Sequence, residues 1–240
     1  MKAVGIDGCP MGWLAVDYNR TDQPFWIIQS EEELKKTLQQ YDRIFIDIPI
    51  GIPDDEYTRK CDEKVRVELG TDYQASIFNP PVRSALYAPT YAEACIQSYS
   101  LTNKKVSLQS WNISGKIKQV DQLLQQDTSL RDKVFESHPE LLFRILNGWE
   151  SVQQKKQTRK GLKHRLNLLK NVQEKSESIY RQLKERFRRK EVAEDDMVDA
   201  MVLAHFARIS VDAEIHSFPE EPPVDSKGLP MAIHYVDHQA

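Results

Sequence analysis

The chain opens on an apolar run, Ala3-Val4-Gly5-Ile6, that stops at Asp7. So short a run, with Gly8 and Gly12 behind it, predicts a buried strand over 3–7 and then a turn. The runs 13–18 and 25–28 predict a second and third strand, and connections this short favour an antiparallel meander. Ser30 followed by Glu33 is a capping box, so a helix is expected from there to about residue 40. The β-branched run 44–50 predicts a fourth strand. A helical crossover before it makes it parallel to an earlier strand and right-handed. Pro49, Gly51 and Pro53 end that strand.

Beyond residue 54 the period turns helical. A charged helix is expected over 57–69, closed by Gly70. A stiff irregular loop follows over 76–83, then helices over 90–97 and 113–126. In the last of these, Ile113, Ile117, Val120 and Leu124 keep near-helical spacing. Residues 133–137 read as a further strand, and Pro139 suits the first turn of the helix after it. Two basic helices are expected over 158–171, with Leu162, Leu166 and Leu169 as its core stripe, and over 173–190, with Ile179, Leu183 and Phe187. The last long helix runs over 195–209, with Met197, Met201 and His205 facing inward. A proline-rich tail reads as an extended wrap with an edge strand over 231–235. The pattern predicts one α/β domain over 1–240, with a helix-rich insertion over about 54–132 and a basic helical segment over about 153–190.

Composition narrows the class. With 40% hydrophobic and 29% charged residues in 240, the chain is globular rather than disordered. No apolar stretch approaches the ~20 residues of a membrane span, and the N-terminus enters a strand without a signal-peptide pattern. Cys9, Cys61 and Cys95 are scattered and show no CxxC spacing. A reducing, cytoplasmic location without a disulfide framework or zinc is therefore expected. The net charge of −3 conceals an asymmetry: residues 153–190 hold 14 Lys or Arg against three acids. A basic segment on an acidic body suggests an anionic partner, nucleic acid above all; a solvated helical face is the competing reading.

The acids carry the candidate chemistry. Asp7 and Asp47 each end an apolar run, Glu136 lies in a third, and Asp195-Asp196-Met197-Val198-Asp199 opens the last helix. Asp196 and Asp199 are three apart and share a helix face. Asp195 is well accounted for as a helix cap, but Asp199 sits a turn inside among apolar residues, where a lone carboxylate is costly. Meeting in space, these acids would hold divalent metal. Hard oxygen ligands select Mg²⁺ or Mn²⁺, and two such ions about 4 Å apart suit phosphodiester hydrolysis. Metal ligands are thus expected at Asp7, Asp47, Asp196 and Asp199, with Glu136 added to the catalytic set. Flanking phosphates would call on Arg83, Lys116, Lys118, Lys163 and Arg165, each of which also reads as ordinary surface charge. His138, beside Glu136, is a proton-shuttle candidate or a cap for the following helix.

Four motifs in order, Gly5-Ile6-Asp7-Gly8-Cys9-Pro10 with Gly12-Trp13, Ile46-Asp47-Ile48-Pro49-Ile50-Gly51, Glu136-Ser137-His138-Pro139-Glu140 and Asp195-Asp196-Met197-Val198-Asp199-Ala200, resemble the DUF429 family. Residues 76–83 and Lys116-Ile117 with Val120-Asp121 are similar to it too. The resemblance implies a ribonuclease H-like fold, three antiparallel strands followed by parallel ones, and a predicted nuclease activity. It implies acids from the first strand, the fourth strand and a late helix. The Asp196-x-x-Asp199-Ala200 spacing is also similar to the late helix of bacterial Holliday-junction resolvases. Two rival readings remain: an actin-like phosphotransferase, which usually has a second glycine-rich phosphate loop absent here, and a non-catalytic nucleic-acid-binding protein.

Overall fold

The computed structural model describes residues 1–237. Two compact units share the chain: residues 1–47, 132–216 and from 234 onward form one, and residues 48–131 with 217–233 form the other.

The first unit is built on a five-stranded mixed sheet. The strands are β1 (Ala3–Cys9), β2 (Gly12–Val16), β3 (Phe25–Ile28), β4 (Arg43–Ile46) and β5 (Val134–Glu136). Their order is β3-β2-β1-β4-β5. β1, β2 and β3 run antiparallel, whereas β4 is parallel to β1 and β5 parallel to β4. This is a ribonuclease H-like sheet topology, as the resemblance implied. α1 (Glu31–Gln40) makes the crossover into β4. Its Ser30 accepts a hydrogen bond from the Glu33 amide, and the Glu33 carboxylate accepts one from the Gln29 amide. β4 is shorter than the apolar run that predicts it. Asp47 still donates its amide to Ile6 O at 3.1 Å, but Pro49 has no N–H with which to continue the ladder.

In the second unit, α2 (Lys60–Tyr73), α3 (Arg83–Leu86), α4 (Tyr91–Thr102), α5 (Leu108–Asn112) and α6 (Ser114–Gln126) gather around small buried residues. Val82, Ala85, Ala88, Ala94, Cys95 and Val106 form one cluster, with Tyr91 and Trp111 against it. Gly70 does not close α2 as expected; it kinks it at φ 63°, and one more turn follows.

Back in the first unit come α7 (Pro139–Leu146), α8 (Arg159–Val172), α9 (Ser176–Arg186) and α10 (Glu194–Ile209). α10 is the central helix: residues 197–207 are buried without a break, and it packs on β1, β2, β4, α7, α8 and α9. It meets the sheet closely at Gly5, where a Cβ would lie 2.0 Å from Ala204 N and 2.6 Å from Ala200 O. Only a residue without a side chain lets the helix backbone come this near. β6 (His216–Phe218) and β7 (Ile233–Tyr235) form a separate two-stranded pair. The three cysteines are buried and form no disulfide with one another, and among the described residues no helix is long and apolar enough to cross a membrane.

Candidate active site

The sheet register brings the strand acids to one edge. Ile46 pairs with Ile6 on one side and with Glu136 on the other, so Asp7 and Asp47 each stand one step beyond the same paired level. Both leave the C-terminal ends of parallel strands, where open α/β sheets place their ligands. The contact at Gly5 sets α10 against the same strand, with Asp199 immediately before Ala200. Asp7 is buried and its carboxylate accepts the Gly8 amide at 2.8 Å. Asp199 is 2% exposed, and its Oδ1 has no hydrogen-bond partner.

These groups act on one another electrostatically. Burial drives the Asp7 carboxyl well above the usual carboxylate range, and Asp47, Asp199 and Asp196 push it further. Burial lifts Asp47 to about 8; Lys156 opposes the rise, while Asp199, Glu136 and Glu140 add to it. Asp196 is raised to about 6 by burial, held back by the Ala193 amide and pushed on by Asp195 and Asp199. Asp199 is raised by burial against the pull of Lys156. Four carboxylates from β1, the end of β4 and α10 thus act on one another across a poorly solvated interior, and Glu136 and Glu140 act on Asp47.

Several side chains stand elsewhere than their sequence pattern suggests. Asp196, not Asp195, supplies the helix cap, by accepting the Ala193 amide at 3.1 Å. His138 stands at the N-cap position of α7, but its side chain makes no cap hydrogen bond. The buried face of α8 is Gly161, Arg165 and Leu169, rather than a leucine stripe. Arg165 is fully buried: it reaches Glu140 Oε2 at 2.6 Å and the Gln154 carbonyl at 2.8 Å, so it has no surface to offer a phosphate. Lys163 is exposed and lines a cleft of about 540 Å³ together with Arg159, Lys184, Arg189, Glu194 and Asp195. In the second unit Arg83 is held by Asp121 at 2.9 Å and by Asp225. Lys116 and Lys118 are partly buried, and the Lys118 ammonium lies 5.8 Å from the Trp111 ring centre.

Lys156 is the member that the sequence pattern hides. It follows an irregular stretch, and its Nζ reaches Asp199 Oδ2 at 2.6 Å. Nothing in composition separates it from the thirteen other cations of its segment. The donor set around it fits a hard divalent cation in kind: carboxylate oxygens alone, one of them buried and unpartnered on Asp199. In spacing it does not, for among the described residues no three His, Cys, Asp or Glu side chains stand close enough to hold one ion. Lys156 takes the place of positive charge instead.

No curated protein and no solved structure matches the chain. A family model does: that of the protein of unknown function DUF429, matched over residues 5–224, and the chain accordingly belongs to the DUF429 family.

Proposed function

We propose that this protein is a Mg²⁺- or Mn²⁺-dependent nuclease that hydrolyses phosphodiester bonds of nucleic acid. The observation that carries the reading is the position of Asp7: its carboxyl, just past the stretch of β1 that pairs with β4, is pushed up by burial and then by Asp47, Asp199 and Asp196. Carboxylates gathered out of water at that cost suit a site made to receive cations. Asp7, Asp47, Asp196 and Asp199 are the candidate ligands, which would have to draw together to share an ion, and Glu136 acts on Asp47 from β5. A divalent ion, if bound there, would supply water activation and charge stabilisation at a phosphodiester oxygen. Lys163, Arg159 and Arg189, lining a cleft that also includes Asp195, would take the flanking phosphates of a bound strand.

The test is a panel of labelled DNA and RNA substrates with Mn²⁺, run beside Asp7→Asn and Asp199→Asn. Cleavage by the wild type and its loss in both variants is the expected result. Equal activity in all three would identify a contaminant and sink the reading. The Lys156–Asp199 ion pair favours a second reading, in which the cluster is neutralised from within and the chain binds nucleic acid without cutting it. Mn²⁺ would then leave the melting temperature unchanged, whereas the nuclease reading expects it to rise.

A further inference from the structure

We propose that the cleft lined by α8, α9 and the start of α10 holds an unpaired nucleotide of a single-stranded nucleic acid, its base on an apolar floor and its phosphates on a cationic rim. The inference rests on nucleic acid being the partner, which both readings above share, and it calls on no metal ion. It names the ligand class: single strand rather than duplex.

The floor is the first observation. Leu162 and Leu166 have the spacing of a core stripe, one turn apart on one face of α8, yet both are only half-buried and line the cleft. Tyr180 of α9 joins them, also half-buried. Its polar end is anchored: the hydroxyl donates to Glu194 at the start of α10, and that carboxylate also pairs with Lys184 Nζ at 3.2 Å. An aromatic ring held at its hydroxyl, beside two leucines left partly open to water, is a surface that a base can cover. The rim is the second observation. Arg159 and Lys163, one turn apart on α8, and Arg189, beyond the end of α9, are exposed and line the same cleft. The cations come from two parts of the chain, which suits a ligand with more than one phosphate.

The third observation is shape. The cleft measures about 540 Å³, within the roughly 300–1,000 Å³ of small-ligand sites. None of its lining residues is buried, so it is open, and a chain can enter and leave it. A duplex keeps its bases paired inside and turns its phosphates outward. Laid here, it would cover leucine with anionic oxygen and strip water from that oxygen without a hydrogen bond in return. Only a nucleotide with a free base uses floor and rim together. Asp195 also lines the cleft, one residue before Asp196, so a strand held here passes the first turn of the helix that carries the late acids.

The experiment follows the fluorescence anisotropy of labelled oligonucleotides with the full chain, in EDTA so that no cleavage intervenes. Oligothymidylate and oligouridylate of about 12 nucleotides are set beside a DNA duplex of the same length. The wild type should bind at least one of the single strands about tenfold tighter than the duplex. Tyr180→Ala should remove about that factor for the single strand, the worth of one base–aromatic stack, and leave duplex binding unchanged. Tyr180→Phe, which keeps the ring, should retain most of the single-strand affinity. Leu166→Gln leaves the Tyr180–Glu194 bond in place and should also weaken the single strand alone. Equal binding of single strand and duplex, or no effect of Tyr180→Ala and Leu166→Gln, overturns the inference and leaves nucleic acid standing as the partner. Thymidine monophosphate that displaces the oligonucleotide at equal concentration overturns the strand as the occupant. Absence of binding to all the oligonucleotides overturns nucleic acid as the partner, and this inference with it. The comparison of single strand with duplex needs only the wild type, so a variant that fails to fold does not remove the test.

Discussion

At the scale of single residues, the molecule spends stability on keeping acids out of water. The folded-state values of Asp47, about 8, and Asp196, about 6, lie above the ordinary 3.8. A carboxyl raised in this way binds more protons folded than unfolded. Its contribution is full below the unfolded value and is lost as pH rises through the folded one. The metal-free protein should therefore lose stability between about pH 4 and pH 8, read as a falling melting temperature in a chelating buffer. Asp47→Asn should flatten that fall and stabilise the protein at pH 8 by on the order of 2 kcal/mol. A melting temperature that climbs over this window would contradict the electrostatic account.

Arg165 gives the opposite case, a buried charge that is matched. Its guanidinium is fully buried against Glu140, itself raised by burial and lowered by Arg165. Arg165→Ala leaves that carboxylate without its cation and should cost about 3–5 kcal/mol in urea unfolding. Pairing Arg165→Met with Glu140→Gln should recover most of the loss, because no lone charge then stays buried. A surface arginine serving phosphate would behave differently, losing oligonucleotide binding with stability intact.

Among the elements, the seating of α10 on β1 decides whether a site exists at all. The two backbones meet at Gly5, two residues before Asp7, and opposite Ala200, one residue after Asp199. Gly5→Ala would place a methyl 2.0 Å from Ala204 N and 2.6 Å from Ala200 O and Leu203 C, all of them backbone atoms. The expected outcome is a loss above about 3 kcal/mol, read by thermal unfolding, or failure to accumulate folded protein. Ala204→Gly would not relieve the clash, because the obstruction is backbone rather than side chain. The same helix shows how its sequence pattern and its role part company. α10 is buried along 197–207, so its apolar residues have no single inward face to find, and its acids are confined to the first two turns.

For the molecule as a whole, the second unit depends on a late return of the chain. Residues 217–233 join residues 48–131, and Asp225 fastens the two segments. Its Oδ2 accepts the Ile52 amide at 2.9 Å and a hydrogen bond from Arg83, while Oδ1 accepts the amides of Lys227 and Leu229. Asp225→Ala strands these amide donors and takes one carboxylate from Arg83, which keeps Asp121 as its partner. A loss of about 2–4 kcal/mol is expected, with faster proteolytic cleavage within 217–233 than elsewhere. Unaltered stability and cleavage would show that the return is held by other means.

The local pattern of the chain determined the five strands of the main sheet, their order of appearance, the capping box of α1 and the acids at the strand ends, because period, capping and turn chemistry act over a few residues. The cap that Asp196 makes, the burial of Arg165 and the place of Lys156 were decided by tertiary structure. Arg165 is three residues after Leu162 and four before Leu169, so its spacing already set it on an apolar face, and its charge argued for the surface. Lys156 carried no such signal, since thirteen similar cations surround it in sequence. What separates those two from the rest is desolvation beside a particular carboxylate, and that depends on which helix lands on which strand. Sequence period chooses a face for a residue; only packing chooses its neighbour.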